Sequence, residues 1–189
     1  MHEARNDDLL LRFARIIAAD GYDRGLQPVQ WQTLRYLATA NRFSRTAKAL
    51  TAWLGQTKGS VSQTINTLES KGLVSRRQDP DDQRIARLEL TDAGRALVCA
   101  PPPSIASAML SHLPPGERRQ FMDLVARMLM GAIERQGGRT FGQCHSCRHF
   151  EPAKERSGLH RCAALDVPLT DEDSRHICHE HAARPKEAA

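Results

Sequence analysis

The chain has 189 residues, a formal net charge of +5 and a hydrophobic fraction of 40%, with only 5% aromatic residues. This length suits one small domain plus an appendage, and the basic excess suits a polyanionic partner. No segment approaches the roughly 20 apolar residues of a membrane helix, and the N-terminal residues 1–8 lack the apolar run of a signal peptide. The composition therefore argues against a membrane partner and predicts a cytoplasmic protein.

Charge and cysteine are unevenly distributed along the chain. Residues 35–77 contain eight Lys or Arg and one acid, whereas residues 144–189 contain seven basic and eight acidic residues. Four of the five cysteines and six of the eight histidines lie in that second segment. This uneven distribution indicates that the basic segment and the cysteine-rich segment have different functions.

Apolar residues at helical spacing mark the first helices, with helix-start and helix-stop residues between them. A helix is predicted over residues 7–19, and Pro28 is placed to open a second. Ser44 is the predicted N-cap of a third helix, which ends at Gly55. A fourth helix is predicted to start at Gln56 or Thr57 and to end at Gly72.

The pattern then changes to that of a β-hairpin. Residues 73–77 are a short predicted strand, residues 78–83 are a polar turn, and residues 85–90 alternate between apolar and polar side chains. Thr91 is the predicted cap of the next helix, and the prolines at 101–103 interrupt it.

Two further helical segments follow that interruption. They are predicted over residues 104–112 and from Pro114 to the pair Gly137–Gly138, and the second carries an apolar stripe between Phe121 and Leu129.

This order of elements predicts a mainly α protein built on a winged helix-turn-helix. In that fold the second motif helix enters the major groove, and the hairpin lies against the neighbouring backbone or minor groove. An N-terminal dimerisation helix is predicted at residues 1–27, and the DNA-binding domain at residues 28–92. C-terminal dimerisation helices are predicted at residues 93–138. A small, irregular, cysteine-rich, metal-binding extension is predicted at residues 139–189.

The fourth helix and the hairpin supply the candidate DNA contacts. Their side chains are small, amide or basic, so they can donate to phosphates and reach base edges. Ser62 and Gln63 are the residues most expected in the groove. The full predicted set is Thr57, Lys58, Ser60, Ser62, Gln63, Thr64, Arg76, Arg77, Asp82 and Arg84.

Residues 60–74, 76–84 and 88–94 resemble the MarR family of bacterial transcriptional regulators, and the likeness extends over residues 7–135. The family's Asp-x-Arg wing motif is matched by Asp82 and Arg84. The resemblance implies that Arg84 reaches the minor groove while Asp82 holds its guanidinium. Gln83 departs from the family, which often has a second arginine there.

The same resemblance implies a homodimer formed by the first and last helices. The apolar stripes at residues 9–17 and 121–129 suit that role. A two-fold dimer predicts a pseudo-palindromic operator in double-stranded DNA. The sequence has no nucleotide-binding loop and no Ser-His-Asp pattern, so an enzyme is not predicted.

The second informative feature is a set of four cysteines, Cys144, Cys147, Cys162 and Cys178. A Cys-x2-Cys pair points two thiolates at one metal from a tight turn, and two further cysteines complete a set of four. The sequence therefore predicts a metal site. Cys99 stands apart and is expected to be a small core residue.

The kind of metal stays open between two alternatives. The spacing resembles that of high-potential iron-sulfur proteins, which favours a [4Fe-4S] cluster; a zinc ion is the alternative, since four thiolates suit both. A histidine such as His181 could also replace one thiolate.

We therefore expect a regulator whose DNA affinity is modulated by an iron-sulfur cluster that senses redox state, oxygen or iron. In this hypothesis the extension moves against the dimer helices and changes the spacing of the recognition helices. The alternative keeps the DNA binding, makes zinc structural, and places a small-molecule effector in the dimer cleft.

Overall fold

The computed structural model describes residues 2–19, 22–80, 82–102, 104–135, 137–138, 140–154 and 158–184. Asp81 of the wing turn, Pro103 of the proline run and residues 185–189 of the extension lie outside that set. The elements of the described part, in chain order, are α1 (His2–Ala19), α2 (Pro28–Thr39), α3 (Ala47–Leu54), α4 (Lys58–Ser70), β1 (Val74–Gln78), β2 (Ala86–Leu90), α5 (Asp92–Cys99), α6 (Ile105–Ser111), α7 (Pro115–Arg135), β3 (Phe150–Glu151), β4 (His160–Cys162), β5 (Val167–Leu169) and α8 (Asp171–Arg175).

The predicted order of three helices (α2, α3 and α4), a hairpin (β1 and β2) and a further helix (α5) is confirmed. Pro28 is the first residue of α2, and Thr57 caps α4 by accepting a hydrogen bond from the Ser60 amide at 3.2 Å. Gly55 ends α3 in the left-handed conformation at φ 62°. The strands β1 and β2 pair antiparallel, with Val74 opposite Leu90.

The cap of α3 was predicted at the wrong residue. Thr46, not Ser44, accepts the hydrogen bond from the Ala49 amide. Ser44 lies instead in a 3-10 turn, because the Asn41 side chain accepts from its amide at 3.0 Å and closes the chain there. We call residues 39–46 the corner between α2 and α3.

Gly94 explains the close packing at the start of α5. A Cβ atom on this residue would collide with the backbone carbonyl oxygen of Leu73. Only glycine therefore lets α5 pack against the chain that enters the hairpin.

The hydrophobic core lies almost entirely between Leu26 and Leu90, around Trp31, Leu50 and Ile65. In contrast, the described residues of α6 and α7 include no buried side chain. The apolar faces of these helices are left uncovered within one copy. No helix among the described residues has the length and hydropathy needed to cross a membrane.

The C-terminal extension is more regular than predicted. Its strands β3, β4 and β5 form an antiparallel sheet, in which Phe150 pairs with Cys162 and Cys162 with Val167. The helix α8 follows, and a capping box between Thr170 and Asp173 stabilises its N-terminus.

Candidate nucleic-acid interface and cysteine cluster

The helix α4 presents a polar face to solvent. Lys58, Ser60, Ser62 and Gln63 are all exposed, as predicted for a surface that meets DNA. Thr64 is the exception among the predicted contacts: it is 8% exposed and its hydroxyl donates to the Ser60 carbonyl oxygen at 3.0 Å. Thr64 therefore belongs to the packed side of the helix.

The two arginines of β1 are held by neighbouring acids. Arg76 lies 2.5 Å from the carboxylate of Glu69 and donates to the Asn66 side chain at 2.8 Å. Arg77 pairs with Glu89 across the hairpin at 3.0 Å, with its side chain 73% exposed. Both guanidinium groups lie on the hairpin surface, where they remain predicted phosphate contacts.

At the tip of the wing, Asp82 holds Arg84 through two parallel hydrogen bonds. The Arg84 Nε and Nη2 atoms donate to the two carboxylate oxygens at 3.0 and 3.1 Å. These bonds from Arg84 lower the pKa of the Asp82 carboxyl. The Arg84 side chain is 90% exposed, so it is oriented by its partner and open to a ligand.

The base of the wing contains an ion pair that sequence reasoning missed. Arg87 Nε lies 2.6 Å from Asp79 Oδ2, and Arg87 Nη1 donates to the Phe43 carbonyl oxygen in the corner at 2.5 Å. Asp79 Oδ1 also accepts from the backbone amide of Asp82 at 3.1 Å. The one feature of the sequence that could have indicated this ion pair is Arg87 itself, a long basic residue between the apolar residues Ala86 and Leu88 of a strand.

The extension docks on the corner through backbone hydrogen bonds. The Asn41 amide donates to the Ile177 carbonyl oxygen at 2.9 Å, and the Ile177 amide donates to the Thr39 carbonyl oxygen at 2.8 Å. Arg42 adds an ion pair with Asp173 at 3.3 Å.

Aromatic rings extend this contact. Phe141 packs edge-on against Trp53, with ring centroids 5.0 Å apart, and lies 5.3 Å from the ring of His179. The expectation that the extension lies against the dimer helices is therefore wrong, because the described extension attaches to the DNA-binding domain.

Three of the four predicted metal-ligating cysteines are buried: Cys144, Cys147 and Cys178 are 6%, 6% and 7% exposed, and Cys162 is partly buried. Local pairing brings them together. A 3-10 turn joins Cys144 to Cys147, and Cys178 pairs with Gly142, two residues before that turn.

All five thiols are free. Cys99 is exposed at the last residue of α5, and not in the core as expected.

Electrostatics agree with this grouping. Burial, and after it the nearby Cys178, Cys147 and Cys162 in that order, together raise the pKa of the Cys144 thiol to about 12. The other three cysteines thus lie near enough to Cys144 to disfavour its ionised form. However, among the described residues no three His, Cys, Asp or Glu side chains are arranged so that they could hold a metal ion as they stand.

His181 lies beside the cysteine turn. Its Nε2 atom is 3.0 Å from the Ser146 hydroxyl, whereas its buried Nδ1 atom has no hydrogen-bond partner. Burial lowers the pKa of this imidazole. A Cβ on Gly142 would lie 2.7 Å from the ring, so the imidazole occupies space that only glycine leaves open.

The polar face of α4 and the arginine-tipped hairpin define a winged helix-turn-helix domain, a class of fold that binds nucleic acid. Within this class, residues 24–85 match the model of the MarR family. The helix-turn-helix and most of the wing are therefore similar to those of MarR-family proteins. The family match ends before the extension begins.

Individual relatives agree with this family match. An uncharacterised HTH-type transcriptional regulator, YdgJ of Bacillus subtilis (strain 168), is 39% identical over 71 residues, which are 36% of this chain and 43% of YdgJ. The chain thus spans less than half the length of this curated relative.

One solved structure shares the fold, and a second has a weaker similarity. The transcriptional regulator BldR from Sulfolobus solfataricus has a TM-score of 0.55 at 20% identity, over 68% of this chain and 95% of BldR. The S. aureus MepR–DNA complex has a TM-score of 0.46 at 27% identity, over 56% of this chain and 80% of that chain. YdgJ is named as a transcriptional regulator and not as an enzyme, in agreement with the prediction from the sequence.

Proposed function

We propose that this protein is a sequence-specific DNA-binding transcriptional regulator that acts as a homodimer. The observation that carries the proposal is the exposed polar face of α4 next to a wing whose Arg84 is held by Asp82. The MarR-family match over residues 24–85 covers this helix and the wing tip. In the proposal Ser62 and Gln63 contact bases, whereas Lys58, Arg76 and Arg77 contact phosphates.

The dimer is supported by the uncovered apolar surface of α1, α6 and α7. Leu9, Met128 and Leu129 are 67%, 59% and 57% exposed, which is unusual for such residues in a monomer. Two-fold pairing of these faces would place two α4 helices on one side of the dimer and match a pseudo-palindromic operator.

DNA binding is tested with a duplex selected from a random pool by the full chain. We expect the selected duplex to be a pseudo-palindrome and to bind at least 1,000-fold more tightly than its scrambled version at the same salt, within the range of about 10³ to 10⁷ seen for specific sites. Equal affinity for both duplexes would contradict sequence-specific binding. The DNA-binding and metal-binding proposals are independent of each other in this test.

The second part of the proposal is that Cys144, Cys147, Cys162 and Cys178 bind a [4Fe-4S] cluster whose state modulates DNA affinity; a zinc ion is the alternative. The support is their spacing, the burial of three of them and the repulsion between their ionised forms, which a cation would relieve. Binding requires the side chains to move closer than they stand, because no ready ligand set exists among the described residues.

Anaerobic purification with an absorption spectrum and metal analysis tests this assignment. Iron and sulfide in equal amounts with a broad visible band support the cluster, and stoichiometric zinc without colour supports the alternative. Cys162→Ser is expected to lose the metal, and Cys99→Ser, at an exposed thiol outside the group, is its matched control. Metal-free protein, or equal metal in both variants, would reject the cysteine site.

A small-molecule effector remains a second candidate because of one cavity. A space of about 410 Å³ between α1, α6 and α7 is lined by apolar side chains that include Phe13, Met109 and Phe121. It has the size of a ligand pocket. Saturable binding of an apolar aromatic probe that Phe121→Ala abolishes would favour this candidate, and absence of saturation would remove it.

A further inference from the structure

We infer that a cleft between the DNA-binding domain and the extension binds a small organic carboxylate with an apolar body. The cleft has a volume of about 320 Å³ and is lined by residues of α2, α5 and α8, with Arg45 of the corner beside them. This volume lies at the lower end of the range of small-molecule pockets. We call it the α8 cleft. The inference requires neither the metal nor the DNA contacts of the proposed function.

Arg45 supplies the first cationic group of the α8 cleft. Its Nε atom donates to the Ala40 carbonyl oxygen at 3.0 Å, and its own carbonyl oxygen accepts from the Leu88 amide at 2.7 Å. Among the described residues, no acidic side chain pairs with Arg45. A guanidinium carries five N–H donors, so the two terminal nitrogen atoms of Arg45 remain able to donate to a carboxylate.

Arg95 of α5 and His176, which follows the last residue of α8, supply two further donors. The Arg95 side chain is 59% exposed and lies 3.3 Å from the carboxylate of Asp92, which faces solvent. Surface pairs of this kind contribute little to stability, so the carboxylate of a ligand can take the place of Asp92. The imidazole of His176 has at least one N–H donor in either protonation state.

The charged groups of the lining favour an anion. Arg45 and Arg95 are opposed by one acid, Glu172 of α8, so the net formal charge of these three groups is positive. A carboxylate held by a guanidinium can accept two parallel hydrogen bonds, which fixes its orientation as well as its position. The lining therefore selects a monoanion over a neutral molecule of the same shape.

The floor of the α8 cleft is apolar. Leu37 and Leu90 belong to the hydrophobic core, and Ala38 and Val98 pack against it. An aryl or short alkyl group on this floor would leave water while its carboxylate meets the arginines. A ligand that has both parts therefore fits this cleft better than an inorganic anion or a neutral hydrocarbon.

The extension closes one side of this cleft with Glu172 and His176. Next to His176, the amide of Ile177 donates to the Thr39 carbonyl oxygen at 2.8 Å, at the end of α2. A ligand that contacts both α5 and His176 would therefore hold the extension on the DNA-binding domain. The site produces no local signal in the sequence, because its two walls are far apart in the chain.

The experiment titrates the full chain with benzoate and with benzyl alcohol, its uncharged analogue, by calorimetry. We expect benzoate to bind saturably and benzyl alcohol to bind about ten-fold more weakly or worse, the factor that a hydrogen bond to a charged group contributes. Arg45→Met and Arg95→Ala each remove one guanidinium and should weaken benzoate binding by a similar factor. Arg175→Ala removes a 78% exposed arginine of α8 that lies outside the cleft lining, so it is the matched control and should bind benzoate like the wild type.

Loss of benzoate affinity in either cleft variant, with Arg175→Ala unchanged, supports the inference. Three results overturn it: no saturable binding of benzoate, equal binding of benzyl alcohol, or unchanged benzoate affinity in both Arg45→Met and Arg95→Ala. Arg95 is exposed on α5, so Arg95→Ala keeps the test decisive if Arg45→Met fails to fold.

Alkylation of Cys99 locates the bound molecule. This thiol lines the cleft and is exposed, whereas Cys162 is partly buried and lies outside the cleft lining. Benzoate at ten times its dissociation constant should slow the reaction of Cys99 with iodoacetamide about ten-fold, because only the free protein reacts, and should leave the rate at Cys162 unchanged. Mass spectrometry follows both sites. Equal rates at Cys99 with and without benzoate overturn the assignment to this cleft, and because neither experiment uses DNA or metal, that failure leaves the proposed function standing.

Discussion

Arg87 and Asp79 form an ion pair at the base of the wing, with Nε 2.6 Å from Oδ2 and side chains only 18% and 11% exposed. Arg87→Ala leaves the Asp79 carboxylate without this partner, so we expect the free energy of unfolding to fall by about 2–3 kcal/mol. Urea denaturation measures the change. Arg77→Ala, which breaks a largely exposed pair on the same hairpin, is the matched control and should cost less than about 1 kcal/mol. Equal losses would contradict the structural role of Arg87.

Gly142 and the His181 ring are expected to be incompatible with a larger side chain. In Gly142→Ala the new methyl group overlaps the imidazole, so the extension should loosen at a cost of about 1–3 kcal/mol. Limited proteolysis should cut the extension of this variant faster and leave the helix-turn-helix intact. Gly116→Ala, where the added methyl meets nothing within 4 Å, is the control and should be cut like the wild type.

Gln63 and Lys58 should differ in what they contribute to DNA binding. Gln63→Ala is expected to lose about 1–3 kcal/mol on the selected duplex and to relax the preference at one base pair, because an amide reads an adenine edge. Lys58→Ala should weaken all duplexes alike and reduce the slope of affinity against salt by about one. Titrations over a range of salt separate the two. An equal loss on scrambled DNA for Gln63→Ala would reject base contact.

The exposed apolar face of α7 predicts the assembly state. Leu129→Glu places a charge in the proposed interface and should convert the dimer to a monomer at micromolar concentration, as measured by light scattering. Arg127→Glu places the same charge at an exposed position on the other side of α7, because two residues span about 200° of the helix, and this variant should remain dimeric. A monomeric wild type would contradict the proposed dimer directly.

The sequence was sufficient for the helix-turn-helix because its signals are local. Pro28 and Gly55 act through their own backbone and neighbours, and each lies where the sequence placed it. The pairing of Asp82 with Arg84 also spans only two residues. The cap at Ser44 failed for a related reason, since Thr46 has equal capping chemistry two residues later and Asn41 takes Ser44 into a turn.

What the sequence did not reveal depends on contacts between distant segments. Ser44 and His179 are 135 positions apart, and Arg87 and Phe43 are 44 apart. Contacts between residues so far apart produce no regular spacing of residue types that could be recognised in the sequence. The docking of the extension on the corner was missed for this reason. The cysteine spacing indicated a group of thiols but not the side of the domain on which they lie.

Trp53 and Tyr36, on the DNA-binding domain, pack against Phe141, which lies 49 positions after the end of that domain at residue 92. During synthesis the helix-turn-helix leaves the ribosome well before its covering segment does. Until residues 140–184 have emerged, the two rings lack this aromatic neighbour and the corner lacks its strand partner. The aromatic packing of Phe141 and the strand pairing at the corner therefore form only after the rest of the domain has left the ribosome.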